Sequence, residues 1–227
     1  MQLKSNNRRA TFTRAIARKG ANHGRLADRV VGQPRLLPEV LDGLRTNKPR
    51  IKYGCSKVLR LVSQKCPAIL YPHFGFFAGQ LDVDNNFLKW DAARIIANLA
   101  AVDSKEKLKP ILNRYLRPIG GPVMITAATV IAGAATIALA RPELAGRLAR
   151  AVLKVERAKY QTAECLNVAI GHAIESLNRF FDLLGVKEKG VLVGFVRRQL
   201  ANRRNAVRKK AAAFLKLRGP APAGKST

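Results

Sequence analysis

One arrangement of apolar positions is written five times along this chain: Ile51, Cys55, Val58, Leu59; Leu88, Ala92, Ile95, Ile96; Val123, Ala127, Val130, Ile131; Leu166, Ile170, Ala173, Ile174; and Val207, Ala211, Phe214, Leu215. Each set has the spacing i, i+4, i+7, i+8, which is one face of an α-helix. The second position is small or medium-sized in every set, as it must be where two helices come close. The sets begin at residues 51, 88, 123, 166 and 207. A period of about 40 residues leaves room for a second helix in each unit and predicts an α-solenoid. The expected fold class is therefore all-α, an α-α superhelix of about five helix pairs spanning residues 22–218.

The stretches between the sets supply the partner helices. A short pair at about 22–31 and 35–45, with Leu37, Val40, Leu41 and Leu44 inward, is expected to cap the open end of the stack. Asn47 is the expected N-cap of the first repeated helix, with Pro49 in its first turn. The next helix follows Pro67, and Pro72 should kink or delay it. Asp103 and Glu106 read as a capping box before a helix that buries Ile111, Leu112, Tyr115 and Leu116. Gly120-Gly121-Pro122 is a break and restart. Pro142 opens a helix whose seam is Leu144, Leu148, Val152 and Val155. The last partner helix is expected at about 191–201, after an exposed turn at Lys187–Lys189. Asn205 is expected to cap the final helix.

The run from Pro118 to Ala140 carries no charge and is long enough to raise the question of a membrane span. Its Ala, Gly and Thr content, its prolines and glycines, and the symmetric flanking Arg117 and Arg141 favour a buried central helix instead. No membrane span is expected.

Charge changes the picture more than composition does. The 42 Lys and Arg against 14 Asp and Glu give a net charge of +28, a field that favours polyanions. It is concentrated at the two ends. Residues 1–65 hold 16 basic and 3 acidic side chains, and residues 191–227 hold 10 basic and none acidic. Residues 1–21 read as a basic flexible arm. They have no apolar core of the secretory kind, although they loosely resemble a mitochondrial presequence; a cytoplasmic setting is expected. Residues 219–227 (GPAPAGKST) read as a disordered tail.

On the partner helices the cations share a phase. Arg147, Arg150, Lys154 and Arg157 recur at i, i+3, i+7, i+10, and Lys107, Arg114 and Arg117 repeat that phase one unit earlier. If partner helices line the concave wall, these residues form a basic track able to follow a phosphate backbone. The final helix adds Arg203, Arg204, Arg208, Lys209 and Lys210. These twelve are the candidate anion-binding residues.

Catalytic and metal signatures are missing. No Walker loop, GxGxxG, HExxH, CxxC or GxSxG is present. No metal site and no cofactor is expected, and Cys55, Cys66 and Cys165 read as reduced thiols. The cluster Tyr71, Phe74, Phe76, Phe77 suits either core packing or base stacking, and core packing is the better fit.

The stretches PRIKYGCSKVLRLVS, FLKWDAARIIANLA and NAVRKKAAAFLKL resemble the first helices of HEAT-like, armadillo-type repeats, with Pro49 where such helices often begin. The resemblance covers about residues 22–218. It implies a scaffold or adaptor rather than an enzyme, and with this charge a partner that is an anionic macromolecule, nucleic acid first. A protein–protein scaffold with incidental charge is the alternative. A third reading comes from the bacterial HEAT-like alkylpurine DNA glycosylases, similar in length and charge, which use an acidic residue and aromatics in the concave cleft. Trp90 and Asp91 are the only Trp–Asp pair, and their place on a first helix puts them on the expected outer face.

Overall fold

The computed structural model describes residues 12–219. Among these residues every regular element is helical and there is no strand. In chain order the α-helices are α1 (12–17), α2 (His23–Gly32), α3 (Leu37–Gly43), α4 (Pro49–Lys65), α5 (Pro67–Leu70), α6 (Phe74–Gly79), α7 (Asn86–Leu99), α8 (Leu108–Leu116), α9 (Met124–Ala140), α10 (Ala145–Leu153), α11 (Ala163–Arg179), α12 (Val186–Arg198) and α13 (Asn205–Arg218). The five periodic sets fall on α4, α7, α9, α11 and α13. Of their twenty positions only Val123 is exposed, because it precedes the first residue of α9 as its N-cap.

The chain divides into two compact units, Met1–Ile111 and Leu112–Thr227, with the boundary inside α8. In the first unit α4 packs against α2 on one flank and α7 on the other, while α3 and α5 cover its inner side. The core there is Val58, Leu59, Val62, Leu70, Phe74, Phe77, Ile95 and Ile96. In the second unit α11 lies between α9 and α13, with α10 on α9 and α12 on α13. Its core is Val130, Ile131, Leu148, Val152, Ile174, Leu177, Phe195 and Phe214. Each unit is thus a row of long helices backed by a row of shorter ones. The small positions Cys55, Ala92, Ala127, Ala173 and Ala211 are essentially inaccessible, which lets neighbouring backbones approach.

Local chemistry sets the ends. Asn22, Asn85 and Thr162 cap α2, α7 and α11 by accepting from the backbone N–H three residues on. Pro72 splits the helix after Pro67 into α5, a 3₁₀ turn at Tyr71–His73 and α6. Among the described residues no helix is long and apolar enough to cross a membrane, and α9 is a buried helix with ten of its residues inside the core.

Several sequence expectations are corrected. Residues 12–21 belong to the expected flexible arm, yet Phe12 and Ile16 of α1 are buried, and the Thr13 N–H donates to the buried Glu39 carboxylate at 2.9 Å. Residues 1–11 and the tail from 220 lie outside the described residues. Lys48, not Asn47, holds the N-cap position of α4. Glu106 precedes α8 in a turn with φ of +49°, and the buried Asp103 carboxylate accepts from the Lys107 and Leu108 N–H groups. Residues 187–189 are the start of α12 rather than a turn. The signal was hidden because Val186 is 90% exposed and Glu188, which suits a helix N-terminus, looked like a loop residue. Arg204, not Asn205, is the N-cap of α13.

Gly121 has φ of +106° and packs on the backbone of Lys159, where an added Cβ would collide with the Lys159 carbonyl oxygen. Gly121→Ala is therefore expected to lower unfolding free energy by about 1–3 kcal/mol, read as an earlier midpoint in urea; an unchanged midpoint would contradict this placement.

Candidate functional site

Packing on both flanks leaves a long helix one stripe facing solvent. On α4 that stripe is Arg50, Tyr53, Lys57 and Gln64, at i, i+3, i+7 and i+14. On α7 it is Phe87, Trp90, Arg94 and Asn98. The two stripes meet. The Tyr53 and Phe87 rings are 5.3 Å apart, and Phe87 and Trp90 are also 5.3 Å apart. The Asn85 amide donates to the Tyr53 hydroxyl at 3.0 Å and fixes that ring. Phe87 is nevertheless 61% exposed and Tyr53 38%.

Beside Tyr53 lies a cavity of about 370 Å³ between α4 and the end of α1, lined by Ile16, Ala17, Arg18, Lys19, His23, Arg50, Tyr53, Gly54 and Lys57. Four of these are permanent cations and none is acidic. Burial, followed by the charge of Lys57, holds the His23 imidazole below its ordinary pKa, against a hydrogen bond with the Ile16 backbone that favours protonation. Gly54 admits this arrangement, since a Cβ there would meet Ile16.

The carboxylate that follows Trp90 in the chain, Asp91, is already spoken for. It accepts from Ser56 at 2.8 Å and pairs with Arg60 at 3.1 Å and Arg94 at 3.4 Å, and its side chain is 18% exposed. It therefore clamps α7 to α4. Asn98 donates to Ser63 two turns further along and does the same.

Acidic side chains serve the same purpose in the second unit. All six between residues 141 and 190 are in ion pairs: Glu143 with Arg141, Glu156 with Arg198, Glu164 with Arg204, Glu175 with Lys210 and His172, Asp182 with Arg218, and Glu188 with Arg150. Five of these pairs reach across one repeat. The hydrogen bonds it donates to the Glu156 carboxylate hold the Arg198 guanidinium above its usual pKa. Exposed pairs of this kind are each worth about 0–1 kcal/mol, so they set register more than stability.

The predicted basic residues fare unevenly. Arg147 donates to Asn113 at 2.8 Å, Arg150 is bonded to Glu188 at 2.9 Å although 64% of its side chain is exposed, and Arg208 caps backbone carbonyls of Asn202 and Arg203. Arg204 and Lys210 hold Glu164 and Glu175. Lys107 lies over the Tyr71 ring at 4.7 Å. Arg114, Arg117, Lys154, Arg157, Arg203 and Lys209 are exposed. The single helical stripe does not hold, because α10 ends at Leu153 and Lys154 and Arg157 stand on a 3₁₀ turn. Lys107 likewise precedes α8, and Arg117 follows it. In the second unit the partner helices that carry the stripe form the row behind the long helices.

Of the cluster Tyr71, Phe74, Phe76, Phe77, Phe74 and Phe77 are core, whereas Tyr71 and Phe76 are half-buried and the Tyr71 hydroxyl donates to Asp103 at 2.7 Å. Burial, with that hydrogen bond second, raises the Tyr71 pKa. Among the described residues no group of His, Cys, Asp or Glu is placed to hold a metal.

No family model matches this sequence, and no curated protein matches it. Solved structures do. A designed armadillo repeat protein shares the fold with a TM-score of 0.60 at 13% identity, covering 95% of this chain and 94% of the other. A computationally designed armadillo repeat protein for modular peptide recognition gives 0.61 at 14% identity over 95% and 94%. A third, designed and solved in complex with the peptide (KR)4, gives 0.56 at 11% identity over 93% and 91%. At such identities the likeness establishes the fold alone: an all-α helical repeat of the armadillo and HEAT-like solenoid class.

Burial, with the Glu39 carboxylate second, pushes the Cys55 thiol up to about 12, while Cys66 and Cys165 are half-buried. With dithionitrobenzoate at pH 8, two thiols should react in the folded chain and the third only on unfolding; three fast thiols would contradict the packing of α4.

Proposed function

We propose that this chain is a non-catalytic repeat module that binds an anionic macromolecule, nucleic acid, by neutralising its phosphates. The observation that carries this reading is the imbalance left after the ion pairs are formed. In the second unit every acidic side chain between residues 141 and 190 is taken up in an ion pair, so the basic excess of a chain of net charge +28 meets little there to oppose an approaching anion. Arg18, Lys19, Arg50 and Lys57 gather that excess around one cavity. In the second unit Lys154, Arg157, Arg203 and Lys209 are exposed cations as well. Such contacts position a backbone without reading its sequence.

A protein-binding scaffold is the second reading, favoured by one observation. The solvent stripe of α9 is apolar, with Ile125 and Leu139 about half exposed, and a relative in fold was solved with a bound peptide. That peptide is basic, whereas this surface would call for an acidic or apolar one. The glycosylase-like reading loses its candidate carboxylate, since Asp91 is locked by Ser56, Arg60 and Arg94.

Fluorescence anisotropy with labelled oligonucleotides across a salt series tests the proposal. Binding should weaken linearly in log–log form, by about 0.7–0.9 of a decade per decade of salt for each phosphate neutralised. Binding indifferent to salt, or no binding to any nucleic acid, would overturn it.

A further inference from the structure

The face formed by α4 and α7 in the first unit combines two features that simple charge neutralisation does not need together. One is a run of three aromatics, Tyr53, Phe87 and Trp90, tilted 55° and 65° to their neighbours rather than stacked face to face. The other is the adjoining cavity with Arg18, Lys19, Arg50 and Lys57, of which Tyr53 forms part of the wall. Leaving Phe87 mostly in water forfeits apolar burial, and an exposed aromatic cluster of this kind marks a contact surface.

Resting on the nucleic-acid reading above, we infer that this face is a single-strand binding site, with unpaired bases stacking on Tyr53, Phe87 and Trp90 and the adjoining phosphates held by Arg18, Lys19, Arg50 and Lys57. The chemistry of each half requires the other. A duplex keeps its bases stacked inward and offers an exposed ring no π-face, so the aromatics would stay wet. An acidic peptide would satisfy the cations but has no regular succession of rings to match theirs. A single strand alternates a flat apolar ring with an anion, as this face does. Asp91 does not oppose it, because its charge is met by Arg60 and Arg94. The preference would be for single strands in general, since stacking accepts every base.

Trp90 is the only tryptophan, so its emission reports on the site directly. The full chain is titrated with oligo(dT) or oligo(rU) of roughly 12 nucleotides, within the range such sites occupy, and with the matched duplex, inorganic polyphosphate and poly-glutamate at one salt concentration. Single strands should quench Trp90 and bind about tenfold or more tightly than the duplex. Phe87→Ala and Tyr53→Ala should each weaken single-strand binding by about tenfold and leave polyphosphate binding unchanged, with circular dichroism confirming that the helices remain. Lys57→Gln should weaken both. Equal affinity for duplex and single strand, or aromatic variants that bind as the parent does, would overturn this inference while leaving the proposed function standing. Tight binding of poly-glutamate with none of any oligonucleotide would overturn both.

Discussion

The close flank-to-flank packing of the long helices is the constraint on which the rest depends. It requires Cys55, Ala92, Ala127, Ala173 and Ala211 to be small and to lie out of solvent. It uses up two sides of a helix such as α4 or α11, and the shorter helices behind take a third. What remains is one solvent stripe per helix. Function in such a fold is decided by which residues occupy that stripe, and here the occupants differ from helix to helix. They are basic and aromatic on α4 and α7, apolar on α9, and paired acids and bases on α11.

The same constraint explains how the charge is spent. Helices stacked one repeat apart need register as well as burial, and polar ties supply it. Ser56 and Arg60 reach Asp91, Asn98 reaches Ser63, Ser176 donates to the Ile131 carbonyl, and Arg150, Arg198 and Arg218 reach Glu188, Glu156 and Asp182. Each tie is weak, but each is satisfied only when neighbouring repeats are aligned. Acidic side chains are the scarce partner, and five of the six between residues 141 and 190 are held in such ties. The cations left over define the electrostatic character of the surface.

The architecture was legible in the sequence because it rests on periodicity. The five apolar sets located all five long helices, Pro49, Pro67 and Pro142 located the starts of elements, and the break at Gly120–Pro122 fell where it was read. Helix ends were less legible. Asp103 caps across a turn that no four-residue pattern describes, and α12 begins with an exposed valine. The basic stripe was misread because it assumed uninterrupted α-helix through Leu153, where the chain tightens into a 3₁₀ turn. The aromatic face was missed for a different reason. Phe87 and Trp90 stand three residues apart on the polar side of a helix whose apolar side is Leu88, Ala92, Ile95 and Ile96, which was a signal in itself. Their contact with Tyr53, 34 residues earlier than Phe87 in the chain, exists only once α4 and α7 are packed.

Lysine reactivity reads the account most directly, because it asks which stripe a ligand covers. Brief acetylation of the chain with and without a bound single-stranded oligonucleotide, followed by mass spectrometry, ranks every lysine by protection. Lys19 and Lys57, which line the cavity beside Tyr53, should be shielded while Lys187, at the start of α12 and outside the proposed anion-binding set, keeps its reactivity. Protection of Lys187 with Lys19 and Lys57 still reactive would contradict the account.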